Sequence, residues 1–267
     1  MTREFVLPHL LHMNPATMDA DLPYFSLVYP YNSEQMTDFE IEKSMRAFAE
    51  RISAGPINEL MSHHRLGKSI RTPPNFRVSA VGKGRNDVGE KGWGSFYVDP
   101  NRGFALGVEA NDGNSTNTLW IGVLGFTMGK ELSEYDYENR HHLRGVMGKD
   151  IPLPTIVQIQ GPNLGKESRA NTYHDLNSEK EEVARNKRAK QVISRYDWAA
   201  ALIDISLEWA RSEGIPAVYL LPADKNRYDY SGHNLASKYS IPAEKLGFRM
   251  RSSGLYAISL IQEVNPS

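Results

Sequence analysis

The side chains best suited to binding a charged ligand lie in a polar stretch just before a long apolar segment. Residues 179–182 are mostly acidic, and a basic series follows that ends beside a predicted helix start and comprises Arg185, Lys187, Arg188, Lys190 and Arg195. Basic side chains next to the free amides at a helix start are able to bind phosphate. Acidic residues first and basic residues last is also the order that the helix dipole favours, so an exposed helix or a mobile insert is the alternative.

Two pairs of adjacent histidines and one glycine-rich segment are the other candidates. We interpret His63 and His64 as exposed polar side chains. His141 and His142 point in different directions on a helix or strand, so a shared metal ion is not expected, and we predict no metal site. Segment 82–89 (GKGRNDVG) lacks the lysine–serine/threonine pair of a phosphate-binding loop and is interpreted as a hairpin loop.

The rest of the chain is organised around residues 194–221, which predict a long helix followed by a buried strand. Ser194 and Asp197 are typical of a capping box at the helix start, and apolar residues then recur at helical spacing. Gly214 is expected to end the helix, and the apolar run 217–221 is typical of a strand covered on both faces. Such an order predicts that Thr155–Gln160 and 217–221 are parallel neighbours in one sheet.

The remaining elements predict one domain over residues 1–267. Residues 1–24 contain three prolines and are expected to form an irregular arm, and residues 161–193 are expected to be a polar insert. A predicted helix is capped by Ser33 or Thr37. Short β-rich runs separated by turn residues predict an antiparallel meander, with strands at 76–81, 93–98, 104–108 and 119–126.

Composition restricts the class of protein. The chain has 267 residues, of which 40% are hydrophobic and 24% charged, and its formal net charge is −1. This balance makes a nucleic-acid or anionic-membrane partner unlikely on electrostatic grounds. Cysteine is absent, which excludes disulfides, thiolate zinc sites and cysteine nucleophiles. With no apolar run near the roughly 18 residues that span a bilayer, we expect no membrane partner and a cytoplasmic location.

The second half of the chain resembles the GNAT superfamily of N-acetyltransferases. The residues that carry the resemblance are AEKLGF at 243–248, the following GLYAISL, and the helix-to-strand passage EWARSEGIPAVYL at 208–220. The resemblance implies an α/β (α+β) fold with a mixed, mostly antiparallel sheet flanked by helices. In this chain the fold would carry the N-terminal arm and the polar insert.

The resemblance also implies that acetyl-coenzyme A is the cofactor. The family motif places a glycine-rich turn at a helix start, where backbone amides bind the pyrophosphate. Its match here is 195–200 (RYDWAA), in which Trp198 replaces the middle glycine of the family motif and Asp197 adds a negative charge. The implied cofactor contacts, which include a strand edge for the pantetheine arm, are Val157, Gln158, Ile159, Gln160, Arg195, Trp198, Ala199, Ala200 and Asn226.

Two residues are implied as catalytic. Tyr239, expected on the last helix, would protonate the leaving thiolate, because Ala243 occupies the position where the family usually has its tyrosine. The alternative is that Tyr239 only packs the helix on the sheet. Glu109, at the end of a predicted strand, is the carboxylate proposed as base. The function implied is N-acyl transfer to an amine of a small molecule or protein, and the alternative is a non-catalytic binding protein of the same fold.

Overall fold

A computed structural model describes the chain in segments. They are residues 37–67, 73–86, 96–109, 118–128, 153–161, 191–192, 194–226, 235–251 and 254–260. The predicted arm at 1–24, almost all of the polar insert at 161–193, and the pair His141 and His142 lie outside the described residues.

The described part of the chain has an α+β fold with four α-helices and a seven-stranded, mostly antiparallel sheet. The helices are α1 (Asp38–Ser53), α2 (Pro56–His63), α3 (Trp198–Ser212) and α4 (Ser240–Lys245). The strands are β1 (Phe76–Asn86), β2 (Phe96–Glu109), β3 (Thr118–Thr127), β4 (Thr155–Gln160), β5 (Ala217–Leu220), β6 (Arg249–Met250) and β7 (Tyr256–Ser259). No described helix is long and apolar enough to cross a membrane.

The strand order is β1-β2-β3-β4-β5-β7-β6, and β4 and β5 form its parallel pair. Thr155 is opposite Tyr219, and Ile156 is opposite Leu220. Helix α3 connects these two strands in the chain, as expected for parallel neighbours, which require a long crossover. The prediction that Thr155–Gln160 and 217–221 are parallel neighbours is therefore confirmed.

Aromatic side chains pack α3 onto the middle of the sheet. The Trp209 ring lies 5.1 Å from Phe126 and 6.0 Å from Phe104, centroid to centroid, and Phe48 of α1 completes the group at 5.7 Å from Phe104. The indole N–H of Trp209 donates to the Ser44 hydroxyl at 3.0 Å, so its polar atom is satisfied. Burial of each such side chain contributes about 1.5–3 kcal/mol, and together they hold α1 and α3 against the sheet.

The helix starts are set by capping side chains. Thr37 and Glu40 form a capping box at α1, which confirms Thr37 as one of the two predicted caps. Helix α3 begins three residues later than predicted, because the Asp197 side chain accepts from the Ala200 amide, whereas the Ser194 hydroxyl donates to the carbonyl of Gln191. Gly214 follows α3 with φ +69°, the left-handed conformation expected where a helix ends.

The predicted meander is wrong in one respect, because the described part of the run 93–98, residues 96–98, and the run 104–108 belong to one long strand, β2. The register places Gly82 opposite Arg102 and Gly84 opposite Val98, so residues 99–101 form a bulge and not a chain reversal. Proline 100 lacks an N–H and suits a bulge, and the Asp99 N–H there donates to the Gln158 side chain at 3.0 Å. Residues 82–86, expected to be hairpin loop, likewise continue β1.

Candidate functional site

A β-bulge changes the direction of the hydrogen-bonding groups of β4. Gly125 of β3 is opposite Gln158, whereas the next residue, Phe126, is opposite Ile156. Val157 is therefore the extra residue of β4. A bulge reverses which backbone groups face each neighbouring strand, and bulges are common next to active sites.

The bulge coincides with the point where β4 and β5 separate. The Leu221 N–H donates to the Ile156 carbonyl at 2.8 Å, and among the described residues the paired positions of these strands stop at Ile156. Beyond it the edge of β4 is covered by two buried side chains, those of Asn226 and Tyr239. We call this region, formed by Val157, Ile159, Asn226 and Tyr239, the β4 notch.

Two buried side chains bind the backbone of β4 in the notch. The Ile159 N–H donates to the Tyr239 hydroxyl at 2.8 Å, and the Asn226 side-chain amide donates to the same hydroxyl at 3.0 Å. The Asn226 amide also donates to the Val157 carbonyl at 3.4 Å. Tyr239 is 3% exposed and Asn226 is 4% exposed. The structure therefore brings together four of the residues predicted from the sequence, although they lie up to 82 positions apart in it.

Tyr239 lies just before α4, not on it. It is the N-cap residue of α4, with φ −113° and ψ −74°, and a 3₁₀ turn at Leu235–Ser237 precedes it. The prediction that it belongs to the last helix is corrected, because the chain makes a separate short turn before α4 starts. Its ring belongs to the main apolar core, as the packing alternative expected, and its hydroxyl nonetheless reaches the strand edge.

The two glutamines of β4 have a different environment. The Gln158 carbonyl oxygen accepts from the Asp99 N–H at 3.0 Å, and its amide donates to the Gln160 side chain at 3.1 Å. Gln158 is 7% exposed. The bond from Asp99 joins β4 to the bulge of β2, and the bond between the two glutamines lies within β4.

At the start of α3, a carboxylate of the chain occupies the position of a helix cap. One oxygen of Asp197 accepts from the Ala200 N–H at 3.3 Å, and the other lies 3.2 Å from the Lys245 ammonium. The Asp197 N–H donates to the His64 carbonyl at 2.7 Å. The Arg195 side chain is exposed, and Ala199 and Ala200 are each 3% exposed and face the core.

The indole of Trp198 lies over the carboxyl end of β4. A Cβ built on Gly122 would come within 2.7 Å of the Trp198 ring, and one on Gly161, the residue after β4, within 3.1 Å of it. These two glycines form a depression in which the ring sits. Trp198 is partly buried and packs against the main core, so it holds the first turn of α3 against β3 and β4.

Glu109 lies far from the β4 notch. Ile159 pairs with Leu124, Leu124 pairs with Phe104, and Glu109 is five residues further along β2, a distance of about 17 Å along the strand. The Asn75 amide donates to its carboxylate at 3.1 Å and the Arg77 Nε at 2.6 Å. These hydrogen bonds, that from Asn75 first, lower the pKa of Glu109. The structure does not bring Glu109 together with Tyr239, and an ion-paired carboxylate is a weak proton acceptor.

A second concave region, which we call the helix cleft, lies among α1, α2 and α3 and has a volume of about 700 Å³. Apolar side chains of α1 and α2 line it together with charged ones, including Arg51, Glu59, His63, Asp204 and Arg211. At its border the His64 imidazole is 3.0 Å from the Asp204 carboxylate, and only 10% of that imidazole is exposed. The interpretation of His64 as an exposed side chain is therefore wrong.

Two features of the structure, the bulge at Val157 and the His64–Asp204 pair, were not predicted from the sequence. The bulge leaves no trace in TIVQIQ, because an extra residue is defined only by the register of the neighbouring strand. The pair joins positions 140 residues apart. Comparison of the chain with known protein families, with curated proteins and with solved structures found no match.

Proposed function

We propose that the protein is an N-acyltransferase that takes an acyl group, such as acetyl, from a coenzyme A thioester and transfers it to an amine. The observation that carries the proposal is the β4 notch, where a bulged strand edge, a buried phenol and a buried amide converge. The resemblance to the GNAT superfamily implies the same location for the pantetheine arm. We also propose that the acyl acceptor is an amine of a small molecule or protein and that the protein is cytoplasmic.

The strand edge suits a ligand that carries amide groups in an extended chain. The pantetheine arm is such a chain, and extended chains bind exposed strand edges through main-chain hydrogen bonds. The Val157 carbonyl and the Ile159 N–H are an acceptor and a donor on the side that β5 has left. In the described structure Asn226 and Tyr239 satisfy both groups, so the ligand would take over hydrogen bonds that the chain now makes internally.

A bound thioester supplies an acyl group that is activated toward an amine. A phenol has a reference pKa of about 10 and is protonated at neutral pH, so the Tyr239 hydroxyl is able to give a proton to a departing thiolate. The attacking amine loses one proton as it becomes an amide, and a proton taken up from solvent restores the Tyr239 phenol. Asn226 orients that hydroxyl.

The test combines titration calorimetry with an assay of thiol release. We expect acetyl-coenzyme A to bind, and thiol release to depend on an added pool of amines. Hydrogen exchange at the Ile159 amide should change on binding, whereas exchange at the Leu221 amide, in the paired part of β4 and β5, should not. Absence of both binding and thiol release would remove the proposal.

Variants separate catalysis by Tyr239 from its structural role. Tyr239→Phe should lower turnover per folded molecule by about 10²–10⁴-fold, the usual loss for a general acid. Tyr256→Phe is the matched control, because the Tyr256 hydroxyl donates to Glu244 at 2.7 Å, outside the β4 notch. Equal turnover in the two variants would show that Tyr239 is not the acid.

The second candidate function is ligand binding without catalysis. The observation that favours it is the start of α3, where Asp197 and Trp198 occupy the place implied for the pyrophosphate. In this case the helix cleft, which apolar and charged side chains line together, is the alternative binding site. A protein that leaves acetyl-coenzyme A unbound in calorimetry would favour this function.

A further inference from the structure

At the start of α3, the Ala200 N–H and the charge of Asp197 are already matched within the chain. Asp197 accepts from the Ala200 N–H, donates its own N–H to the His64 carbonyl, and pairs with Lys245. An anion that approached this helix end would meet a carboxylate that holds the capping position. Like charges a few ångströms apart repel, so the capped helix end disfavours phosphate, although an uncapped one would attract it.

The route from the β4 notch to this helix end is covered by an aromatic ring. The Trp198 indole rests on Gly161, the residue that follows β4, and on Gly122 of the neighbouring strand. The ring contacts core side chains from the first turn of α3. A ligand lying on the edge of β4 and continuing toward α3 would have to displace an indole seated in a depression shaped for it.

From these two observations we infer that the protein selects its acyl donor by the pantetheine arm and excludes the nucleotide half of coenzyme A from the start of α3. The substrate class is then an acyl thioester of pantetheine, for which the adenosine and pyrophosphate groups add no affinity. This inference rests on the proposed function and narrows it. The chemistry at the thioester is the same in either case, since Tyr239 contacts β4 at Ile159, in the part of the strand assigned to the arm.

The test compares the dissociation constants of S-acetylpantetheine and acetyl-coenzyme A for the full chain, measured by titration calorimetry. We expect values within about threefold of each other. Acetyl-coenzyme A that binds tenfold or more tightly, a gain of about 1.4 kcal/mol, would overturn the inference and leave the proposed function intact. If neither thioester binds, the inference and the proposed function are both overturned.

A charge variant tests whether Asp197 is the cause. Asp197→Asn keeps a side-chain oxygen for the Ala200 N–H and removes the charge, so acetyl-coenzyme A should gain about three- to tenfold in affinity while S-acetylpantetheine is unchanged. Glu213→Gln is the matched control, since it removes the same charge at the other end of α3 and should change neither affinity. Acetyl-coenzyme A affinity that is the same in Asp197→Asn and Glu213→Gln would overturn the assignment to Asp197.

Discussion

The Tyr239 hydroxyl is the acceptor on which the β4 notch depends, so Tyr239→Phe should lower the free energy of unfolding. The substitution keeps the ring and removes one oxygen. That oxygen accepts from the Ile159 N–H at 2.8 Å and from the Asn226 amide at 3.0 Å. Both Tyr239 and Asn226 are at least 96% buried, and replacement of the hydroxyl by bulk water is hindered.

The size of the loss follows from the groups left behind. A buried donor without an acceptor costs about 1–3 kcal/mol. The Ile159 N–H loses its acceptor on this side, whereas Asn226 keeps its longer bond to the Val157 carbonyl at 3.4 Å. We therefore expect a total loss of about 2–4 kcal/mol, which is a large part of the 5–15 kcal/mol that is typical of a folded domain.

The assay is equilibrium unfolding in urea, with Tyr256→Phe as the control. The Tyr256 ring is also buried, but its hydroxyl donates to Glu244, which is exposed and can bind water instead. Loss of that bond should cost about 1 kcal/mol or less. Hydrogen exchange should show reduced protection of the Ile159 amide in Tyr239→Phe and normal protection in Tyr256→Phe.

A double-mutant cycle of Tyr239→Phe and Asn226→Ala measures whether these two side chains stabilise the β4 notch together. Side chains that share a hydrogen-bond network couple by about 0.5–3 kcal/mol. A coupling energy near zero, or a Tyr239→Phe variant as stable as Tyr256→Phe with the Ile159 amide still protected, would refute the reasoning from the contacts in the notch.

Two further substitutions test the environment of the sheet. Gly122→Ala should lower the free energy of unfolding by about 1–3 kcal/mol, because the new Cβ would lie 2.7 Å from the Trp198 ring and 3.0 Å from Leu202. Gly82→Ala is the control, because its new Cβ would have its nearest atom at 3.9 Å, and its melting temperature should be close to that of the wild type. Burial raises the pKa of Tyr219 to about 12. The unfolded chain loses this proton from about pH 10, so stability should fall by about 2–3 kcal/mol between about pH 10 and 12, and Tyr219→Phe should remove that part of the fall in alkaline unfolding curves.

Local sequence patterns predicted the elements that depend on near neighbours in the chain. The apolar periodicity after residue 197 reflects contacts within one helix, and Gly214 marks its end because a left-handed residue carries little strain only without a Cβ. The parallel pairing of Thr155–Gln160 with the strand after α3 was predictable as well, since a helical crossover between apolar runs permits few other arrangements.

Boundaries were harder to predict where two local signals compete. Asp99, Pro100 and Asn101 are typical turn residues, and the sequence alone does not distinguish a chain reversal from a bulge in a continuing strand. Cross-strand pairing decides this, because β1 pairs with β2 on both sides of the bulge, at Val98 and at Arg102. The cap of α3 shows the same competition, since Ser194 and Asp197 are both good capping residues and the contact with Lys245 involves only Asp197.

The sequence by itself determined the residue types at the candidate site, namely a tyrosine, an asparagine and an apolar strand. Only the tertiary structure decided what they do together. The bulge at Val157 exists in the register between β3 and β4, and the bond from Ile159 to Tyr239 joins positions 80 residues apart. Such contacts depend on the packing of the whole sheet, because a side chain 80 residues away reaches a strand edge only after β5 and α4 have taken their places beside it.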